Sequence, residues 1–369
     1  MKTLSITILL SLFVLSSISF GQNKLKPGFD AVEYGEALKV SAHQGDTPWV
    51  KAPLPLPEGY RMVYRSPVVG LDNRWDLWLR DDSVAVISIR GTTIKPTSWL
   101  EDFYSAMVPA AGTLTAGKNN VFRYRLASDT NTYVHIGFLL GLAYLAPTII
   151  QEINEYYNKG VKDFIIMGHS QGGAISYLLT SYLHYLDKGI IPDDIRFKTY
   201  SSAPPKPGNS YYAYDYEFIT RGGWSYRIIN ELDWVPQMPF TVQTKFDFNK
   251  NGLFYSVDTA IADLGLMQKI VYALLKRSLI GDVDEARDVL IKYLGEKLYG
   301  SVEKNLPGFK EPRFVKSMEY MTCGSPVILK PTSEYLAAFP YEKGVRGIFV
   351  HHNLDAYYYL LEHEYINER

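Results

Sequence analysis

The stretch DFIIMGHSQGGAISYLLTSYLHYL, from Asp163 to Leu186, constrains this chain most. A continuous apolar run meets glycines, and a Leu/Tyr-rich run of helical length follows at once. That is a buried strand turning sharply into a helix. Ser170 sits at the turn, between Gly168 and Gly172. A G-x-S-x-G turn of this kind lifts a serine hydroxyl above the end of a sheet and aims a helix N-terminus at whatever it reacts with. The same letters also suit a plain packing turn, so the rest of the chain has to decide.

Around this turn the pattern alternates. YRMVYRS, NRWDLWLR and SVAVISIRG read as consecutive strands, with turns at 66–74 and at Asp81-Asp82. A helix is expected over 136–160, kinked or broken by Pro147, and another over 28–44. IRFKTYSSA and SYRIINELD are further strands. Strand and helix in alternation predict an α/β fold with a mostly parallel central sheet covered on both faces. Residues 251–305 break the rhythm. Apolar residues recur there at helical spacing, and a second helix is expected from Asp282 with Glu285 closing a capping box. They read as a helical insertion or cap within a single domain over 22–369.

The first 21 residues, with Lys2 ahead of a short Ser-punctuated apolar run, have the layout of a secretory leader. The expected location is therefore the periplasm or the cell exterior. No later run reads as long and apolar enough to cross a membrane. Cys323 is the lone cysteine, so no intrachain disulfide forms, and the core must hold the fold. The net charge of −1, mixed along the chain, excludes the basic stripe of a nucleic-acid binder.

A serine hydroxyl needs a base, an acid to orient that base, and donors for the oxyanion. On an α/β sheet these follow the serine in the order acid, then histidine. Asp233, after the SYRIIN strand, is placed for the acid, with Glu231 as its local rival. Of the seven histidines only His351, His352 and His363 follow it. The His351–His352 pair precedes a helix, so it also reads as a cap pair. Neighbouring residues point apart, which makes it a poor metal chelate.

Five blocks, VAVISIRGTTIKPTSWLEDF, VHIGF, IIMGHSQGGA, SSAPPKPGNSYY with RIINELDWVPQMP, and HNLDAY, stand in the order of the class-three lipase family. The chain resembles these fungal-lipase-like α/β-hydrolases over about residues 30–360, with 240–340 matching nothing in the pattern. The resemblance implies an α/β-hydrolase fold with Ser170 as nucleophile, Asp233 as orienting acid and His352 as base. It implies an oxyanion hole from the N–H groups of Thr92 and Gln171, with a possible part for the Thr92 hydroxyl. His135 is implied as a structural histidine, and His169 as pointing into the structure. The family's lid would fall at Ile94–Ala111, with Trp99 on its face or hinge; a fixed surface loop is the other reading.

The implied activity is exported hydrolysis of acyl esters, acylglycerols foremost, at a lipid–water interface and with no cofactor required. A phospholipase or a feruloyl-type esterase would use the same triad. A non-catalytic lipase-like binding protein and a secreted peptidase fit less well. DFNKNGLFYSVD also fits a calcium loop weakly, through Asp247, Asn249, Asn251 and Asp258, although position 12 is Asp and not Glu. The competing reading is a hairpin with KFDF as its first strand.

Overall fold

A computed structural model describes residues 24–45, 54–249, 265–267, 269–270, 281–341 and 343–367. The segment read as a leader (1–21), the stretches 251–264 and 271–280 of the segment read as an insertion, and with them Asn251 and Asp258, lie outside the described residues.

Among the described residues a seven-stranded sheet runs in the order β1-β2-β3-β8-β9-β10-β11. Its strands are β1 (Tyr60–Arg65), β2 (Trp75–Arg80), β3 (Val84–Ile89), β8 (Asp163–His169), β9 (Arg196–Ser202), β10 (Ser225–Asn230) and β11 (Ser325–Leu329). Strands β3 to β11 pair in parallel, while β1 and β2 are antiparallel. The mostly parallel sheet read from the alternation is therefore present. Two small pairs lie outside it: β4 (Met107–Pro109) with β7 (Tyr133–His135), and β5 (Ala111–Gly117) with β6 (Asn120–Arg125).

Strand parity sets the two layers. Ala85, Ile87 and Ile89 of β3 and Phe164 and Ile166 of β8 face a core filled by helices α3 (Ile136–Asn158) and α4 (Gln171–His184) and by α5 (Ser210–Ile219). Val84, Val86, Ile165 and Met167 face the opposite way. They pack on α1 (Ala31–Ala42) and on a helix near the C-terminal end, Leu354–Leu361.

Pro147 lies inside α3 without breaking it. Its ring is on the exposed side of the helix, where water can satisfy the carbonyl that loses its partner. Helix α3 also corrects the membrane reading. Its 23 residues are long and apolar enough to cross a membrane by length and composition, yet most of the apolar stretch is buried inside the fold. The KFDF segment is not a strand. Lys245–Asp247 form one 3-10 turn closed by a capping box with Thr244.

Besides α2 (Pro96–Phe103), the helices described after α5 include α6 (Gly281–Ile291), α7 (Lys297–Asn305), α8 (Ser333–Ala338), a single turn at Val345–Ile348, and α9 (Leu354–Leu361). Asp282 is thus inside the first turn of α6 and not its cap. Lys292–Glu296 join α6 to α7 as a π-helical turn. The carboxyl ends of β3, β8 and β10 open on one edge of the sheet, where parallel α/β sheets place their sites.

Candidate active site

Ser170 caps α4 with φ 59° and ψ −130°, a positive-φ conformation outside the left-handed helical well that costs a non-glycine residue about 1–3 kcal/mol. The surroundings hold it there. Its N–H donates to the Ser202 carbonyl at 2.9 Å, and its own carbonyl accepts from Ala174. The flanking glycines are required by contact. A Cβ on Gly168 would lie 2.1 Å from the Gly172 carbonyl oxygen, and one on Gly172 would lie 2.2 Å from that of Ile89.

Asp233 follows β10 in a turn closed by its N–H to the Asn230 carbonyl, 2.9 Å. Its Oδ1 accepts the Val235 N–H at 3.0 Å. Its Oδ2 accepts from His352 Nδ1 at 2.7 Å and from the Tyr357 hydroxyl at 2.8 Å. Asp233 and His352 are both buried. A carboxylate that accepts at Nδ1 puts the imidazole proton there and leaves Nε2 as the basic nitrogen. Glu231 is exposed. The neighbouring His351 is engaged elsewhere: Tyr335 OH accepts from Asn230 Nδ2 and donates to His351 Nδ1, each at 2.7–2.8 Å.

His169 links the serine to this pair. Its Nε2–H donates to the His352 carbonyl at 2.8 Å, so its Nδ1 must accept from the Ser202 hydroxyl at 3.0 Å. Ser202 Oγ in turn accepts from Tyr34 of α1 at 2.8 Å. The two imidazole centroids are 4.8 Å apart. Burial, then the nearby His352 ring, drives the His169 pKa far below its usual range, so the ring is neutral.

Thr92 and Gln171, the sequence candidates for the oxyanion hole, converge on one carboxyl group that the sequence reading left without a role. Asp102 Oδ2 accepts from the Thr92 hydroxyl at 2.8 Å, and Oδ1 accepts from Gln171 Nε2 at 2.9 Å. The Thr92 hydroxyl is thus donated to Asp102 whenever that carboxyl is charged. Burial raises the Asp102 pKa to about 7, against the two hydrogen bonds that lower it. The R-G-T-T loop is fixed independently. Asp72 accepts from Arg90, from the Thr93 hydroxyl and from Lys95 Nζ, the last two at 2.7 Å. The W-x-x-D spacing was the usable signal for Asp102, since i,i+3 residues share a helix face.

The sequence also places Trp99 and His135 here. Trp99 on α2 packs against Phe103 and Phe349. The inner side of α2 is tied down: Ser98 Oγ accepts the Thr93 N–H at 3.0 Å, and Ser98 O accepts from Gln171 Nε2 at 3.1 Å. His135 caps α3, donates to the Asp102 carbonyl at 3.2 Å and stacks on Phe138. Burial lowers its pKa to about 3, which leaves it neutral.

Ser170 and Thr92 open into a cavity of about 260 Å³ walled by apolar side chains. Six are aromatic: Trp99, Phe103, Phe138, Trp234, Phe240 and Phe349. Asp247 does not line this cavity and is engaged elsewhere, accepting from Ser317 at 2.5 Å and from the Thr244 N–H and hydroxyl at 2.7 and 3.0 Å. Among the described residues no three His, Cys, Asp or Glu side chains gather as a metal site.

A serine on a strand–helix elbow and an aspartate-held histidine, both carried at the carboxyl edge of a mostly parallel sheet, are the arrangement of an α/β-hydrolase. The family described as Lipase (class 3) matches residues 86–243, so the resemblance carried by the motifs is borne out over that segment. A secreted mono- and diacylglycerol lipase from Fusarium solani is 31% identical over 109 residues, which is 29% of this chain and 29% of the relative. The chain therefore spans under a third of that curated relative in the match. Among solved structures, a triacylglycerol lipase from Penicillium expansum is 18% identical with a TM-score of 0.41, over 60% of this chain and 78% of that one. A lipase from Yarrowia lipolytica is 20% identical with a TM-score of 0.41, over 59% and 78%.

Tyr357 is the testable addition to the acid–histidine pair. Its phenol, kept protonated by burial and by the Asp233 charge beside it, draws on the same oxygen that holds His352. Tyr357→Phe is expected to lower kcat/KM about tenfold and to move the acid limb of the pH–rate profile to higher pH by roughly half a unit. Without the phenol the carboxylate binds its imidazole partner more strongly. A fall in rate with an unmoved limb would reduce Tyr357 to packing.

Proposed function

We propose that this chain is an exported carboxylic ester hydrolase that cleaves acyl esters, acylglycerols foremost, through an acyl-enzyme on Ser170. The observation that carries the reading is Ser170 on its elbow at an apolar cavity, together with an Asp233–His352 pair held in one tautomer at the carboxyl edge of the same sheet. His352 Nε2 takes the Ser170 proton as Oγ attacks the ester carbonyl, and the oxyanion forms against the Thr92 and Gln171 N–H groups. The same imidazolium protonates the departing alcohol. Water, deprotonated by His352, then releases the acid and restores the serine. Apart from that water, every step uses groups of the chain itself, with no cofactor.

The apolar walls suit an acyl chain. The Fusarium solani relative, a secreted mono- and diacylglycerol lipase, supports both the substrate class and the export read from residues 1–21. The six aromatic walls favour a second reading, an aryl ester such as a feruloyl ester. The test is purified protein against p-nitrophenyl acyl esters, mono- and diacylglycerols, phospholipids and a feruloyl ester, with an alkylphosphonate probe located by mass spectrometry. Turnover of acyl esters and labelling of Ser170 are expected. A protein that hydrolyses none of them and takes no label refutes the reading.

A further inference from the structure

The cavity is built almost entirely from the segment 92–240 together with Phe349, and one wall residue breaks that rule. Leu294 comes from the helical insertion, outside the class 3 lipase match. We infer that Leu294 is a specificity-determining residue, set into the acyl pocket by the π-helical turn between α6 and α7. The inference rests on the ester hydrolase reading and deepens it.

Three features fix the position. Ala106 N–H donates to the Leu294 carbonyl at 3.2 Å, joining the turn to the segment that follows α2. Gly295 lets the two backbones meet, because a Cβ there would lie 2.7 Å from the Ala106 Cβ and 3.1 Å from the Phe314 ring. Ile291 is buried with Met107, Met318 and Tyr320, and Leu294 packs on the same cluster. Tyr320 donates its hydroxyl to the carbonyl of Ser105, another cavity wall, at 2.5 Å. Beyond the turn, Val302 of α7 is buried in the main core.

The turn is thus anchored on both sides. One residue inserted in an α-helix as a π-turn shifts the phase of the residues after it, and such turns recur at functional sites. Here Lys292, Tyr293 and Glu296 face solvent, while Leu294 and Gly295 face the protein. Side-chain volume at position 294 consequently sets how much acyl chain fits beside the aromatic walls. One methylene in an apolar pocket is worth about tenfold or more in discrimination.

The experiment compares kcat/KM for p-nitrophenyl laurate and butyrate. Leu294→Ala is expected to raise the laurate-to-butyrate ratio about tenfold, and Leu294→Trp to lower it about tenfold. Tyr293→Ala, an exposed change on the same turn, should leave it unmoved. Should the tryptophan variant fail to fold, the alanine variant decides alone. Ratios within twofold of the starting protein in folded variants that still label at Ser170 overturn the inference and leave the hydrolase reading standing. If the unaltered protein neither turns over nor labels, the hydrolase reading falls, and the inference with it.

Discussion

Ser170→Ala is expected to lower hydrolysis of p-nitrophenyl butyrate by about 10⁵–10⁶-fold while leaving a folded protein. What remains is binding and oxyanion stabilisation without a nucleophile. Stability should stay within about 0.5 kcal/mol, because alanine at φ 59° keeps the same backbone strain and the N–H to the Ser202 carbonyl survives. His352→Ala should be nearly as damaging. His351→Ala should cost only a few-fold, since that ring is held by Tyr335 and not by Asp233. Thermal melts read beside the rates separate chemistry from folding. Retained activity in Ser170→Ala, or a His351→Ala loss matching that of His352→Ala, would remove the mechanism.

Most of the central sheet was legible because six of its seven strands carry their own signature. FIIMG and VAVISI are continuous apolar runs, and such runs bury on both faces only in a covered parallel sheet. The elbow was legible for a different reason: its glycines answer local clashes, which one short segment records. Strand β11 was not legible. SPVIL is short, opens on Ser-Pro and joins the sheet only by pairing with β10, about a hundred residues away. The β5–β6 hairpin has mixed burial and no strict alternation, so periodicity carried little there. The KFDF turn misled because its alternation fits a strand, while the Thr244–Asp247 capping box that bends it is a side-chain matter. Asp233 and His352 could be ordered along the chain, and the family motifs single them out over Glu231 and His351; the contact that joins the two is tertiary and is recorded in no local pattern. The loop proposed to hold the oxyanion shows a limit of this kind, since Asp102 lies ten residues from Thr92 and sixty-nine from Gln171 and bonds to both.

Asp102 carries the second large effect. Asp102→Ala removes the carboxylate that Thr92 and Gln171 share, leaving Gln171 only its bond to the Ser98 carbonyl, and should lower kcat by about 10²-fold, the scale of a lost oxyanion donor. Asp102→Asn should stay within about tenfold of the unaltered protein. Its amide nitrogen can donate to Thr92 Oγ1 and its oxygen can accept from Gln171 Nε2. The two variants differ again in pH dependence. With the Asp102 pKa raised from 3.8 to about 7, the folded state binds the proton more tightly than the unfolded chain. The stability this group contributes is then complete below pH 3.8 and is lost as pH rises to about 7. Asparagine removes that slope, so its melting temperature should decline less across the interval. The same proton governs the Thr92 hydroxyl. Below pH 7 a neutral Asp102 can donate to Thr92 Oγ1 and free the threonine proton for the cavity; above it, the charged carboxylate takes that proton back. Rates should therefore sag by a few-fold on the alkaline side of roughly pH 7 in the unaltered protein and remain flat in Asp102→Asn, measured from roughly pH 5 to 9. An alanine variant as active as the parent, or identical alkaline limbs in parent and asparagine variant, would leave Asp102 with no part in holding the oxyanion site.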